Sequence, residues 1–95
     1  MLEWPNATPT TKEVYGFTWS KRLNTGEKIV TSTWEVIDGD DQLSLSNEDI
    51  SEDGITTSIM ITGGTKGRSY CVRNHVVTDS VPPRELDRDG RLNIR

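Results

Sequence analysis

Apolar and polar residues alternate along most of this chain with a period of two. Tyr15, Phe17 and Trp19 fall on one side of a segment whose other side carries Gly16, Thr18 and Ser20. From Ile29 to Ile37, Val30, Ser32, Trp34 and Val36 share a face, and the Thr-Ser-Thr centre suits an extended backbone. Leu43 and Leu45 alternate with serines in a short, weak strand, and residues 47–53 read as an acidic turn or edge segment. Ile55, Thr57, Ile59 and Ile61 alternate with Thr56, Ser58, Met60 and Thr62 in the clearest strand of the chain. Tyr70, Val72, Asn74, Val76 and Thr78 share one face of a long strand, and the tail from Arg84 to Arg95 keeps Leu86, Leu92 and Ile94 as its apolar positions.

Breaks between these runs carry turn chemistry. Asn24-Thr25-Gly26-Glu27 and Asp38-Gly39-Asp40-Asp41 read as turns. Gly63-Gly64-Thr65-Lys66-Gly67 reads as a hairpin turn, rich in residues that tolerate positive φ. Pro82 and Pro83 end the long strand because proline donates nothing to a ladder, and Asp89-Gly90 suggests a turn in the tail. Residues 1–12 show no period and hold Pro5 and Pro9, so they are expected to form an extended arm.

Six or seven short strands with turns between them, and no apolar run of helical period, predict an all-β chain. The expected architecture is a small immunoglobulin-like antiparallel β-sandwich of six to seven strands over residues 13–95, with an extended N-terminal arm over residues 1–12. A small barrel is the alternative. Trp19 and Trp34 are assigned to the core. Tyr70, two residues before Val72, is placed as a tyrosine corner whose hydroxyl bonds backbone upstream.

Composition narrows the function. Ninety-five residues allow one small domain, and no stretch approaches the ~20 apolar residues of a membrane-spanning helix. No basic segment followed by an apolar core begins the chain, so no secretory leader is expected. A net charge of −4 opposes nonspecific nucleic-acid binding, which depends on neutralising phosphates. One cysteine cannot close an intrachain disulfide, and no zinc-ligand spacing is present.

Candidate chemistry is sparse. Cys71 and His75 lie four apart on one strand, about 13 Å at ~3.3 Å per residue, whereas a nucleophile and its base must meet at hydrogen-bond distance. Cys71 is therefore read as an inert strand residue facing away from Tyr70, and His75 as a surface or interface residue. Residues 38–53 hold seven acids and no Lys or Arg, but without the glycine and glutamate spacing of an EF-hand loop. They read as a solvated face or as a patch docking onto a basic partner. Gly63-Gly64-Thr65-Lys66-Gly67 lacks the spacing of a phosphate-binding loop. No catalytic residue, metal or cofactor is expected.

An ordered set of motifs resembles small tailed-phage virion proteins of the fibre–tail adaptor type. They are Trp4-Pro5-Asn6, Tyr15-Gly16-Phe17-Thr18-Trp19-Ser20-Lys21-Arg22-Leu23, Gly26-Glu27-Lys28-Ile29 and Thr31-Ser32-Thr33-Trp34-Glu35-Val36. Thr56-Thr57 follows, then Ile61-Thr62-Gly63-Gly64-Thr65, Gly67, Tyr70, Val72 and Asn74. The likeness runs over about residues 1–80. In the last fifteen, Val81-Pro82-Pro83-Arg84 and a charged tail replace the family's usual turn and short final strand.

The resemblance implies a non-enzymatic structural part of a virion tail, made in the host cytoplasm and present in several copies around the tail. Its expected partners are an adaptor or nozzle ring and a tail fibre, with no nucleic acid and no membrane. The residues expected to meet those partners are Leu2, Trp4 and Pro5 of the arm, and Asp38, Asp40, Asp41 and Asp49 of the acidic stretch. Trp4 has two candidate seats, a neighbouring subunit or its own sandwich, with the neighbour preferred. On that reading, removing residues 1–11 would abolish incorporation into particles and leave the domain folded. Two other readings stay open. One is a carbohydrate-binding module stacking sugars on Trp4, Tyr15, Trp19 or Trp34; the other is a capsid-decoration or head–tail closure protein.

Overall fold

The computed structural model describes residues 2–95 and contains seven strands, with no helix among them. Met1, the first residue of the expected arm, lies outside the described residues. The strands are β1 (Leu2–Glu3), β2 (Lys12–Thr18), β3 (Ile29–Asp38), β4 (Leu43–Ile50), β5 (Thr56–Gly63), β6 (Ser69–Thr78) and β7 (Glu85–Asn93). They form a four-stranded sheet in the order β1-β7-β6-β3 and a three-stranded sheet in the order β2-β5-β4. Every pairing is antiparallel except that of β1 with β7. This is the two-sheet β-sandwich that the alternation predicts.

The period of two decides which side chains fill the gap between sheets. Tyr15 and Phe17 of β2, Ile59 and Ile61 of β5, Val72 and Val76 of β6 and Leu92 of β7 are buried, and Trp19 is fully enclosed just after β2. Phe17 stacks on Trp34 with ring centroids 5.6 Å apart and planes 7° from parallel.

A polar seam ties the two layers through this core. The Trp19 indole N–H donates to Thr57 Oγ1 (3.1 Å), whose hydroxyl donates to Asn74 Oδ1 (2.5 Å). Asn74 Nδ2 donates in turn to Ser32 Oγ (2.8 Å) and to the Thr33 carbonyl (3.0 Å). Asn74 and Thr57 are wholly buried, and each tolerates burial because its polar atoms are paired.

Five local expectations are corrected. Gly63-Gly64-Thr65-Lys66-Gly67 is no hairpin turn: β5 and β6 lie in different sheets, so the segment crosses from one layer to the other. Asp89-Gly90 is no turn: β7 runs straight through both residues, paired with Arg73 and Val72. Val30 does not join Ser32, Trp34 and Val36 on the inner face. The register of β3 against β6 slips between Ile29 and Thr31, so Ile29 is buried and Val30 stands 56% exposed. The N-terminal segment does not stand out as an arm, because β1 joins the edge of the four-stranded sheet. The last fifteen residues also form more than a charged tail: all of β7 pairs with β6.

Candidate interaction surfaces

An open sandwich has two long sides where the gap between its sheets meets solvent, and here the chain's own start covers one of them. Leu2 and Glu3 pair in parallel with Gly90 and Arg91. The contact continues through Trp4 N–H to the Arg91 carbonyl (3.0 Å), Ala7 N–H to the Asn93 carbonyl (3.0 Å) and Arg95 N–H to the Ala7 carbonyl (2.7 Å). Trp4 then turns inward to only 7% exposure, with its ring centroid 5.2 Å from Tyr15 and 5.3 Å from Phe17. Gly90 makes the seat: a Cβ there would lie 2.7 Å from two atoms of the Trp4 ring. The preferred seat in a neighbouring subunit is thus replaced by the seat on its own sandwich. Leu2 and Pro5, by contrast, remain exposed along the rim.

The acidic stretch divides in a similar way. Asp40 is drawn into the fold: Tyr70 O–H donates to its Oδ1 (2.6 Å), Thr65 O–H to its Oδ2 (2.8 Å), and the Gln42 N–H to Oδ1 (3.0 Å). These donors, Tyr70 first, hold the carboxyl below its usual range. The Tyr70 hydroxyl also accepts from the Thr65 backbone N–H (2.8 Å), the upstream bond expected of a tyrosine corner. Asp38, Asp41 and Asp49 are exposed. Among the described residues, no three His, Cys, Asp or Glu side chains converge as metal ligands would.

A buried charge escaped the sequence reading. Glu27 is 7% exposed and accepts from Thr78 O–H (2.6 Å), Asn24 N–H (2.9 Å) and Arg84 Nη1 (2.6 Å). Those hydrogen bonds, Thr78 first, lower its pKa to about 2. It pins the turn before β3 to Thr78 at the end of β6 and to Arg84 just ahead of β7.

The outer faces of the two sheets differ in chemistry. On the four-stranded sheet the register sets Glu35, Arg73 and Asp89 in one cross-strand row and Thr33, His75 and Asp87 in the next. Arg73 grips Asp89 with two bonds (2.9 and 3.2 Å), and His75 lies 2.6 Å from Asp87 and 2.9 Å from Glu85. The two carboxylates, Asp87 first, raise the His75 pKa. Cys71 is buried beside this face, where burial first, and then the Asp89 and Asp38 carboxylates, raise its thiol pKa. Most of these charges are already paired within the sheet.

The three-stranded sheet presents the opposite surface. Its outward positions are Val14, Gly16 and Thr18 on β2, Thr56, Ser58, Met60 and Thr62 on β5, and Ser44 and Ser46 on β4. Charge appears only at its borders, in Lys12 and Asp49. Val14 stands 52% exposed near the middle, opposite Met60. Depletion of charge is what marks the centre of a protein–protein contact. Sequence reasoning passed over this face, although its signal was present in the polar positions of β5, which hold no charged residue.

A sugar-stacking platform does not form. Trp4, Tyr15, Phe17, Trp19 and Tyr70 are buried and Trp34 is half-buried, so no two aromatics stand exposed on one flat face.

No curated protein matches the chain significantly. A family model described as podophage GP4 fiber-tail adaptor protein gp77 matches residues 8–92, which is 85 of the 95 residues. The match takes in β2 through nearly all of β7, and so extends past residue 80 where the motif likeness ended. That span places the protein in the podophage fibre–tail adaptor family.

Proposed function

We propose that this chain is a non-enzymatic component of the virion tail that joins tail fibres to the tail, and that it docks through the outer face of its three-stranded sheet. The observation that supports this reading is the contrast between the two outer faces. One has paired off most of its own charges, and the other carries none at its centre. A flat face of Thr, Ser, Val and Met gives up little hydration when covered and asks for no ionic partner.

Pro5, beside Val14 and Gly16, and Asp49, opposite Ser58, would extend this contact. Leu2, beside Asp87 and Asp89, and the acids Asp38 and Asp41 would meet a second neighbour. Trp4 and Asp40 serve the fold instead. A single small interface binds modestly, so several copies around a tail would hold by avidity.

The test is the double variant Val14→Lys with Ser46→Lys, both at exposed outward positions flanking Met60. The purified variant is expected to melt like the wild type, while particles assembled with it lack the adaptor by mass spectrometry. Particles carrying the usual amount would overturn the docking face.

A further inference from the structure

The side of the sandwich opposite the N-terminal segment has no such cover. It is bounded by β3, the last strand of one sheet, and β4, the last strand of the other, which lie beside each other with a groove between them. Trp34, Leu45 and Ile59 line that groove, and Glu48 stands at its rim.

β3 is a long edge whose register slips, between Ile29 and Thr31 and between Val36 and Asp38, lie only at its two ends. Natural sheets blunt their edges with Lys, Pro, bulges or very short strands. β1 is two residues long, β2 carries Lys12 and Glu13, and β4 is broken by a register slip between Ser46 and Asp49. β3 contains no Lys, Arg, Pro or Gly over ten residues. Its pairing with β6 is regular from Thr31 to Val36, and its two unpaired residues, Val30 and Ile37, stand 56% and 40% exposed at either end. The regular stretch is about 20 Å long at ~3.3 Å per residue.

Charge selects the occupant. From Ile29 to Thr65 the chain has eight acids and no Lys or Arg, and both edge strands fall inside that span. Arg73, opposite Glu35, is already held by Asp89. A second copy of this chain would bring the same acids, and its Leu2-Glu3-Trp4-Pro5-Asn6 segment has no basic residue to offer.

Building on the adaptor reading, we infer that the β3 edge takes up an extended, basic segment of a different polypeptide. That segment would pair along Thr31–Val36, place apolar side chains against Val30 and Ile37 and set Lys or Arg beside Glu35, Asp38 and Glu48. Backbone bonds give such strand addition its affinity and side chains its specificity. The N-terminal segment already treats β7 this way on the other side.

The probe is a fluorescent peptide of alternating Lys and Val with interspersed Thr, titrated into the full chain, beside the same peptide with Glu for Lys. The basic peptide is expected to bind, more tightly at low salt, with the acidic one at least ~10-fold weaker. Backbone amide shifts should concentrate on residues 31–36. The double variant Val30→Lys with Ile37→Lys, at exposed positions that leave the melting temperature unchanged, should weaken binding at least ~10-fold, as gatekeeper charges on an edge do. Failure of the basic peptide to bind, equal binding of the acidic one, amide shifts away from β3, or a double variant that binds normally would each overturn the inference. A chain that enters particles yet fails these tests keeps its adaptor role and loses this edge.

Discussion

Gly90 and Trp4 form a complementary pair in which one residue's missing side chain makes room for the other's large one. Replacing Gly90 with Ala puts a methyl group 2.7 Å from the Trp4 ring, with β7 backbone unable to retreat because it is bonded on both sides. Gly90→Ala is expected to cost about 3 kcal/mol, the low end for losing a buried Trp. The cost should largely vanish when Trp4→Ala is already present, since both changes empty the same seat. Urea denaturation of the four members of that cycle checks it; additive costs would show that the seat is not shared.

Two titrating groups shape stability at opposite ends of the pH range. Glu27 has its pKa lowered to about 2 from 4.5, so its contribution is present above pH 4.5 and is lost as pH falls toward 2. His75 has its pKa raised above 6.5, so its contribution is full below 6.5 and is lost as pH rises through the folded value. Stability should therefore be greatest between these limits. Thermal melts across pH are expected to show Glu27→Gln with a flattened acid limb and an unchanged alkaline one.

Among the elements, the N-terminal segment carries the largest consequence for experiment. Removing residues 1–7 withdraws Trp4 and Ala7 from the core and exposes Tyr15 and Phe17. The expected loss, about 3–5 kcal/mol for the tryptophan alone, is a large part of what a domain this size holds in reserve. The truncated chain should bind a hydrophobic dye and melt well below the full chain. An unchanged melting temperature would show that the segment is dispensable to the fold, as the sequence alone suggested.

The strands were legible because alternation is a local signal: Tyr70 to Thr78 point inward in the order their spacing sets. Sheet membership was not legible, because nothing within Gly63–Gly67 records that its two flanking strands pair with different partners. The seat of Trp4 was hidden for a related reason. It depends on Gly90, more than eighty positions away, and a glycine after an aspartate looks locally like a turn. The chargeless face could have been found by asking which strand's polar positions lack Lys, Arg, Asp and Glu. On the acidic stretch, sequence separates Asp40 from its neighbours only once Tyr70 and Thr65 are known to reach it.

Taken whole, the protein is about 43 Å long and 22 by 19 Å across, with different chemistry on each side. One sheet is charged and largely self-paired, the other is neutral, one long side is covered by the chain's own start, and the other is acidic with a free edge. A part that must meet unlike neighbours in fixed directions is served by such a division.

A fibre joint is also pulled. Near its two ends the chain runs side by side in the same direction, residues 2–7 against residues 90–95. Tension drawing the N-terminus one way and the C-terminus the other would slide these segments past each other instead of peeling them apart. The Trp4–Arg91, Ala7–Asn93 and Arg95–Ala7 bonds would then share the load and give way together. Trp4, seated crosswise over Gly90, would act as a peg that resists the same sliding.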